Sequence, residues 1–275
     1  DYYVQAQCGV GDTSAWAGPF SFTTPCNIIV APYCQNFDAL TPNDAGIFSC
    51  ITTDNMGDCW INDPANTNNW TARSAPTGSG GTGPSADHTS GSGNYAFLES
   101  SSCPTNTSNL WSGEMDVSAL TNPEARFWYH MYGATMGSLS VYASTDGGTT
   151  WSASLWNQAG DQQDQWREAV IDMSAYAGAT SVIVRFEGTT GTSFTSDMAI
   201  DDFCVQEEPC INTTGTDAIT ACDSYTWIDG VNYTSSNNSA TFVLTNAAGC
   251  DSTVTLDLTI NNSSSGTDVI TACDS

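Results

Sequence analysis

The sequence contains no lysine. Its 275 residues carry four basic side chains that are always charged, Arg73, Arg126, Arg167 and Arg185, against 30 acidic ones, for a net charge of −26. That balance repels phosphate backbones and acidic lipid headgroups, which excludes nucleic-acid binding and argues against anionic membranes as partners. A Walker lysine is impossible, HExxH does not occur, and no serine has glycine at both −2 and +2 as a nucleophile elbow needs. No cysteine pair has CxxC spacing, so zinc knuckles and thioredoxin-like redox sites are poorly supported. No apolar run approaches the ~18 residues of a membrane span. There is neither an initiator methionine nor a basic-then-apolar leader, and the expectation is that the sequence starts inside a longer chain. Histidine is scarce as well: His88 lies on a Gly/Ser loop and His130 on a Trp/Tyr-rich run. Either could serve as a general base, but a loop hydrogen bond for His88 and aromatic packing for His130 are the simpler readings.

What is present reads as strand. "STVTLDLTI" sets Val254, Leu256, Leu258 and Ile260 on one face and Thr253, Thr255, Asp257 and Thr259 on the other, the period of two of a half-buried strand. "NYAFLES", "ARFWYHMY", "GSLSVYAST" and "TSVIVRFEG" behave similarly, and only "EAVIDMSAYAG" offers a weak helical alternative. Gly/Ser/Thr clusters and the hairpin signal "TDGGTT" separate them, which predicts an all-β sandwich or jelly roll. Eleven cysteines in a polar chain point to disulfides and an oxidising compartment, so secretion or the cell surface. The odd count leaves one without a partner, and Cys273 is the natural orphan. It lies in "SGTDVITACDS", an almost exact copy of "TGTDAITACDS" 51 positions earlier, the mark of a tandem module.

Three resemblances organise the chain. Residues 1–25 resemble the last strands of a fibronectin type III module, in a tyrosine-bearing strand and the ending "WAGPFSFTT". Residues 26–209 resemble a MAM domain, the extracellular jelly-roll module of adhesion receptors and secreted proteases. The match is carried by "NFD", "DHTSGSGNYAFLES", "FWYHMYGATMGSLSVY", "DQWREAVIDM", "RFEGTTG" and "DMAIDDF", in the family's order. Residues 210–262 resemble the short tandem β-modules of Bacteroidetes surface proteins, with 263–275 opening the next copy. The expected fold is therefore an antiparallel jelly-roll sandwich flanked by small β-sandwich-like modules. The MAM resemblance implies an early local disulfide, for which Cys50–Cys59 fits, and a long-range one, for which Cys103–Cys204 fits. Pairings such as Cys8–Cys26 and Cys34–Cys210 stay open. Matching "ACDS" and "GCDS" contexts suggest Cys222–Cys250 within the repeat.

The best candidate site is for calcium, a hard cation that takes carboxylate and carbonyl oxygens. Asp38 is expected on the first jelly-roll strand, Asp87 on a Gly-rich loop and Asp202 on the last strand, and first and last strands commonly neighbour each other. Strand alternation points Asp201 and Asp202 to opposite faces, and Asp202 is expected to face inward with Ile200 and Cys204. "STDGGTTW" (Ser144–Trp151) matches the sialidase Asp-box, read here as a hairpin device whose Asp caps turn amides. Seven sequons (Asn69, Asn106, Asn212, Asn232, Asn237, Asn261 and Asn262) and "DST" at Asp251–Thr253 are possible glycosylation signals. The functional expectation is a non-catalytic segment of a large secreted or surface protein, an adhesin or extracellular fibre. Its MAM-like domain would bind surface proteins, glycans or its own copies, and its repeats would form a stalk. Two alternatives are an accessory region of a secreted protease or glycan hydrolase, and a carbohydrate-binding jelly roll using Trp60, Trp70, Trp111 or Trp156 as a sugar platform.

Overall fold

The computed structural model describes residues 2–20, 26–44, 48–53, 56–246 and 249–266. It divides the chain into two units, Asp1–Glu208 and Pro209–Ser275. Both are β-structure, and the described residues contain one 3-10 turn, Ser174–Tyr176, in place of the weak helical alternative there. Among the described residues no helix is long and apolar enough to cross a membrane.

The first unit opens with two small ladders: β1 (Tyr2–Val4) pairs with β4 (Ala17–Phe20), and β2 (Gln7–Gly9) with β3 (Asp12–Thr13). Next come β5 (Ile29–Val30), β6 (Tyr33–Gln35), β7 (Ile61–Asn62), β8 (Thr71–Arg73), β9 (Tyr95–Leu98), β10 (Thr107–Trp111) and β11 (Met115–Asp116). The series continues with β12 (Pro123–Met131), β13 (Ser138–Ser144), β14 (Trp156–Ala159), β15 (Arg167–Asp172), β16 (Ile183–Thr189) and β17 (Met198–Glu207). One sheet runs β14-β13-β16-β10-β7 and the other β15-β12-β17-β9-β8, with β6 added on β17. Apolar residues at alternate positions of both sheets point inward, as a two-layer sandwich requires. On β16, Val184 and Phe186 are buried while Ile183, Arg185 and Glu187 face out. The core is aromatic: Trp60 is fully buried and meets Phe37 and Phe203 edge-on, at ring-centroid distances of 5.1 and 5.3 Å. Such geometry adds to plain area burial.

Strand β17 is shared unequally. One edge pairs with β12 along its length, while the other pairs with β9 at Met198–Ile200 and with β6 at Phe203–Val205. Asp201 and Asp202 fall in the gap. The β12 register also shifts there: Arg126 faces Cys204 and Trp128 faces Asp201, so two β17 residues oppose Phe127 alone. This is a β-bulge, and its extra residue, Asp202, has φ +48°.

The second unit contains β18 (Thr213–Cys222), β19 (Tyr225–Thr226), β20 (Asn232–Tyr233), β21 (Thr241–Thr245) and β22 (Asp251–Asn261). The alternation of β22 is as expected: Leu256 and Leu258 are buried with Trp227, and Val254 and Ile260 pack against them. The Trp227 indole N–H donates to Asp217, which ties β18 to this small core. Residues 267–275, with Cys273, lie outside the described residues.

The disulfides differ from the expected ones. Cys26 bonds Cys59, Cys34 bonds Cys204, Cys50 bonds Cys103 and Cys210 bonds Cys250, while Cys222 is free and exposed. Cys50–Cys59 and Cys103–Cys204 are therefore corrected, and of the pairings left open, Cys26, Cys34 and Cys210 are each bonded elsewhere than to Cys8 or to one another. Register explains one change: β6 lies on β17 with Cys34 directly opposite Cys204. The chain path explains another, because it brings Cys50 to the turn after β9, where its sulfur lies 3.3 Å from the Ser102 carbonyl oxygen and beside Cys103. Cys222–Cys250 fails because β18 runs parallel to β22. Cys222 stands opposite Asn261, eleven residues (261 − 250) past Cys250, or roughly 36 Å at ~3.3 Å per residue. Mass mapping of unreduced protein should recover the four pairs above and a maleimide adduct on Cys222. A Cys222–Cys250 crosslink would overturn the parallel register.

Candidate functional site: a carboxylate cluster at the β17 gap

The gap in the edge of β17 is filled by the loop between β8 and β9. The His88 N–H donates to the Asp201 side-chain Oδ2 at 2.9 Å, which ties the loop to β17 through a side chain. The loop is built on Asp87, whose Oδ2 accepts from the Ser90 N–H (2.8 Å) and hydroxyl (3.0 Å) and whose Oδ1 accepts from the Gly93 N–H (2.9 Å). Burial by itself would raise this carboxyl, but the donors of Ser90 and Gly93 outweigh it and hold Asp87 below the ordinary range.

Asp38 lies in the turn just beyond β6 rather than on the strand itself. Its Oδ1 accepts from the Asn94 N–H at 2.7 Å and its Oδ2 from the Asn36 amide at 2.8 Å. Asn94 in turn donates to the Leu40 carbonyl, locking that turn to the loop. Gly93 lies between the carboxylates. A Cβ at this position would come within 1.9 Å of Asp38 Oδ1 and 3.0 Å of Asp87 Oδ2. The structure thus brings two of the three expected ligands, Asp38 and Asp87, against one glycine.

The third, Asp202, goes elsewhere, and the bulge is the reason. The expectation that Asp202 faces inward with Ile200 and Cys204 is corrected. Ile200, Phe203 and Val205 are the core residues, and Cys204 is turned to its disulfide partner. Asp201 is the buried carboxylate, 1% exposed, whereas Asp202 is partly open. Asp202 Oδ2 accepts from His88 Nδ1 at 2.6 Å and from the Thr89 hydroxyl. His88 is stacked on Trp128, with centroids 3.7 Å apart and planes 15° from parallel. It therefore makes the expected loop hydrogen bond and also anchors the loop to β12.

Asp201 is electrostatically costly. Burial pushes its carboxyl up to about 8, and the negative charges of Asp202 and Asp87 add to the rise, against the His88 and Asp202 N–H groups. No arginine or lysine pairs with it: Arg126 is bonded to Glu124 and Glu168, and Arg73 to main-chain carbonyls. Among the described residues no group of three or more His, Cys, Asp or Glu side chains is arranged to share a metal ion. The carboxylates of Asp38, Asp87 and Asp201 offer oxygen donors only, and burial with two neighbouring carboxylates makes the charged form of Asp201 unfavourable.

His130 is buried on the same sheet, in edge contact with Trp166 at 5.4 Å, with Nε2 at 3.2 Å from Asp164. Burial lowers its pKa against the opposing pull of Asp164. This is the aromatic packing expected for it.

Comparison with known proteins places these elements. A family model for the MAM domain, meprin/A5/mu, matches residues 52–211, more than half of the chain. The chain belongs to the MAM domain family. It is 34% identical over 136 residues to thyroid hormone-induced protein B of Xenopus laevis, covering 47% of this chain and 18% of that protein. It is 29% identical over 213 residues to MAM domain-containing protein 2 of Homo sapiens, covering 70% and 30%. It is 32% identical over 180 residues to MAM domain-containing glycosylphosphatidylinositol anchor protein 2 of Mus musculus, covering 60% and 18%. The chain thus spans less than a third of the length of these relatives. Within the MAM domain matched here, Asp87, His88, Asp201 and Asp202 all lie inside the family segment, whereas Asp38 and β6 precede it.

The raised Asp201 carboxyl has a pH consequence. Its folded pKa lies above the ordinary carboxylate value near 4, so its contribution to stability is full below that value and is lost as pH rises toward about 8. Glu99, raised by burial and by Asp197, acts with the same sign. In chelator, the melting temperature should fall as pH rises across this window, and Asp201→Asn should fall less steeply. Equal slopes in the two proteins would remove Asp201 from the account.

Proposed function

We propose that this chain is a non-catalytic segment of a secreted or cell-surface multidomain protein, in which the MAM domain mediates adhesion or assembly and binds calcium. In this reading residues 210–262 form a stalk module, 263–275 open a further copy, and 1–25 are the end of a fibronectin type III-like module. The observation that carries the reading is MAM family membership on a disulfide-bonded β-sandwich, the chemistry of an oxidising, extracellular setting. The name of one relative describes that relative as a glycosylphosphatidylinositol anchor protein, which supports a surface setting for this reading. The polar chemistry of the β17 gap supports a structural role in preference to a catalytic one. Asp202 Oδ2 holds both the Thr89 hydroxyl and His88 Nδ1, and the His88 ring stacks on Trp128, so these groups join the loop to β17 and β12.

Calcium would be held by Asp38, Asp87 and Asp201, with Asp202 kept on His88. Bound there, the ion would neutralise Asp201 and join the β6 turn, the loop and β17. Its ligation would need the carboxylates to turn from main-chain N–H groups toward one point, which couples binding to loop order. Calcium should raise the melting temperature relative to EGTA. Asp87→Asn and Asp201→Asn should abolish the shift, and Asp202→Asn should retain most of it. A wild-type curve indifferent to calcium would end the metal proposal. Adhesion is tested separately: beads coated with the chain should aggregate with one another or bind cell surfaces. Beads inert in both assays would leave only a spacer role.

A further inference from the structure

The outer face of the β14-β13-β16-β10-β7 sheet carries a second constellation, far in sequence from the carboxylate cluster. Cross-strand register aligns Tyr142, Arg185 and Trp111 in one row and Ser140, Glu187 and Asn109 in the next. The Ser144–Trp151 hairpin folds over the first row. Asp146 builds this hairpin: its carboxylate accepts from the Ser144 hydroxyl and from the Thr150 N–H and hydroxyl, which holds its pKa near 2. The hairpin thereby lays Trp151 beside Trp111, with centroids 5.3 Å apart and planes at 55°. Arg185 is sandwiched between Tyr142 (4.3 Å) and Trp151 (4.4 Å).

Two further observations suggest what this face meets. Of the five buried side-chain atoms with no hydrogen-bond partner among the described residues, three converge here: Trp111 Nε1, Arg185 Nε and Asn109 Oδ1. Buried polar groups left unpaired are costly, and three on one face form an unmet set of two donors and one acceptor. The cation of Arg185 is already screened, because Glu187 lies 3.5 Å from it and the rings cover its faces. With a chain charge of −26, an anionic ligand is disfavoured.

We propose that this face binds neutral glycan, with the half-buried rings of Trp111, Trp151 and Tyr142 stacking on the apolar side of pyranose rings. Glu187, and the exposed Asn157 opposite Ser140 on β14, bond the hydroxyls at the rim. Trp111 Nε1 and Arg185 Nε belong to the residues beside Trp151, and Asn109 Oδ1 to the next row opposite Glu187, so the ligand meets two donors and one acceptor across the two rows. The sequence-level platform is corrected accordingly. Trp60 and Trp70 are fully buried, and Trp156 packs edge-on against Phe127 and Tyr129, so only Trp111 of the four belongs to the surface. This site is on the opposite sheet from the carboxylate cluster and does not depend on calcium there.

The test is tryptophan fluorescence and calorimetric titration of the full chain with cellohexaose, xylohexaose, mannohexaose and chitohexaose, in EGTA. At least one should bind, with a shift in tryptophan emission. Trp111→Ala and Glu187→Gln should each weaken it about tenfold or more. Asn157→Ala, on an exposed strand position that leaves the core untouched, should weaken it several-fold with an unchanged melting temperature. No binding of any of the four sugars, or binding unaffected by Glu187→Gln and Asn157→Ala, would overturn the proposal.

Discussion

The structure depends on how one edge of β17 is divided. A single ten-residue strand serves β12 on one side and two short strands, β9 and β6, on the other. Because β9 and β6 do not meet end to end, two residues of β17 have no strand partner on that side. A sheet cannot leave buried main-chain groups open without cost. Here the chain bulges at Asp202, whose N–H donates to the Asp201 side-chain Oδ1, while the other carboxylate oxygen of Asp201 accepts from the His88 N–H of the loop. The same arrangement fixes the Cys34–Cys204 bond, because it sets Cys34 opposite Cys204. It also brings the Asp38 turn, which follows β6 directly, against Gly93 of the loop.

The two sheets are then unlike on their outer faces. The β17 sheet carries the Asp87, Asp201 and Asp202 carboxylates gathered around His88, with no arginine among them. The β16 sheet carries aromatic rings around a screened arginine, a region suited to an uncharged ligand. Both constellations stand on the same aromatic core, where Phe127, Phe186 and Phe203 interlock edge to face. A change deep in that core, such as Trp60→Ala at a typical cost of ~3–5 kcal/mol, would be expected to disturb both faces together.

Much of this was legible in the sequence wherever local pattern decides structure. The alternation of Val254, Leu256, Leu258 and Ile260 named the buried face of β22, and "STDGGTTW" announced an Asp-capped hairpin that the structure contains. The disulfides were not legible, because pairing follows tertiary register. Nothing in "ACDS" and "GCDS" tells that β18 runs parallel to β22 and carries Cys222 away from Cys250. The choice between Asp201 and Asp202 failed for a related reason. Strict alternation holds for a regular strand, and a bulge shifts it by one residue without a glycine to mark the place. The tryptophans show the same limit: aromatic content foretold a core, but only the sheet pairing distinguishes Trp60 and Trp70 inside from Trp111 outside.

In the proposed function the interrupted edge of β17 holds a cation-dependent joint between the β6 turn, the Asp87–Asn94 loop and Asp201. Hydrogen exchange read by mass spectrometry, with calcium and with EGTA, addresses it most directly. Exchange should be slower with calcium in peptides covering residues 36–40, 86–94 and 200–203, with the Ser144–Trp151 hairpin unchanged. Equal exchange in those three segments under both conditions, or a calcium effect confined to Pro209–Ser275, would contradict it.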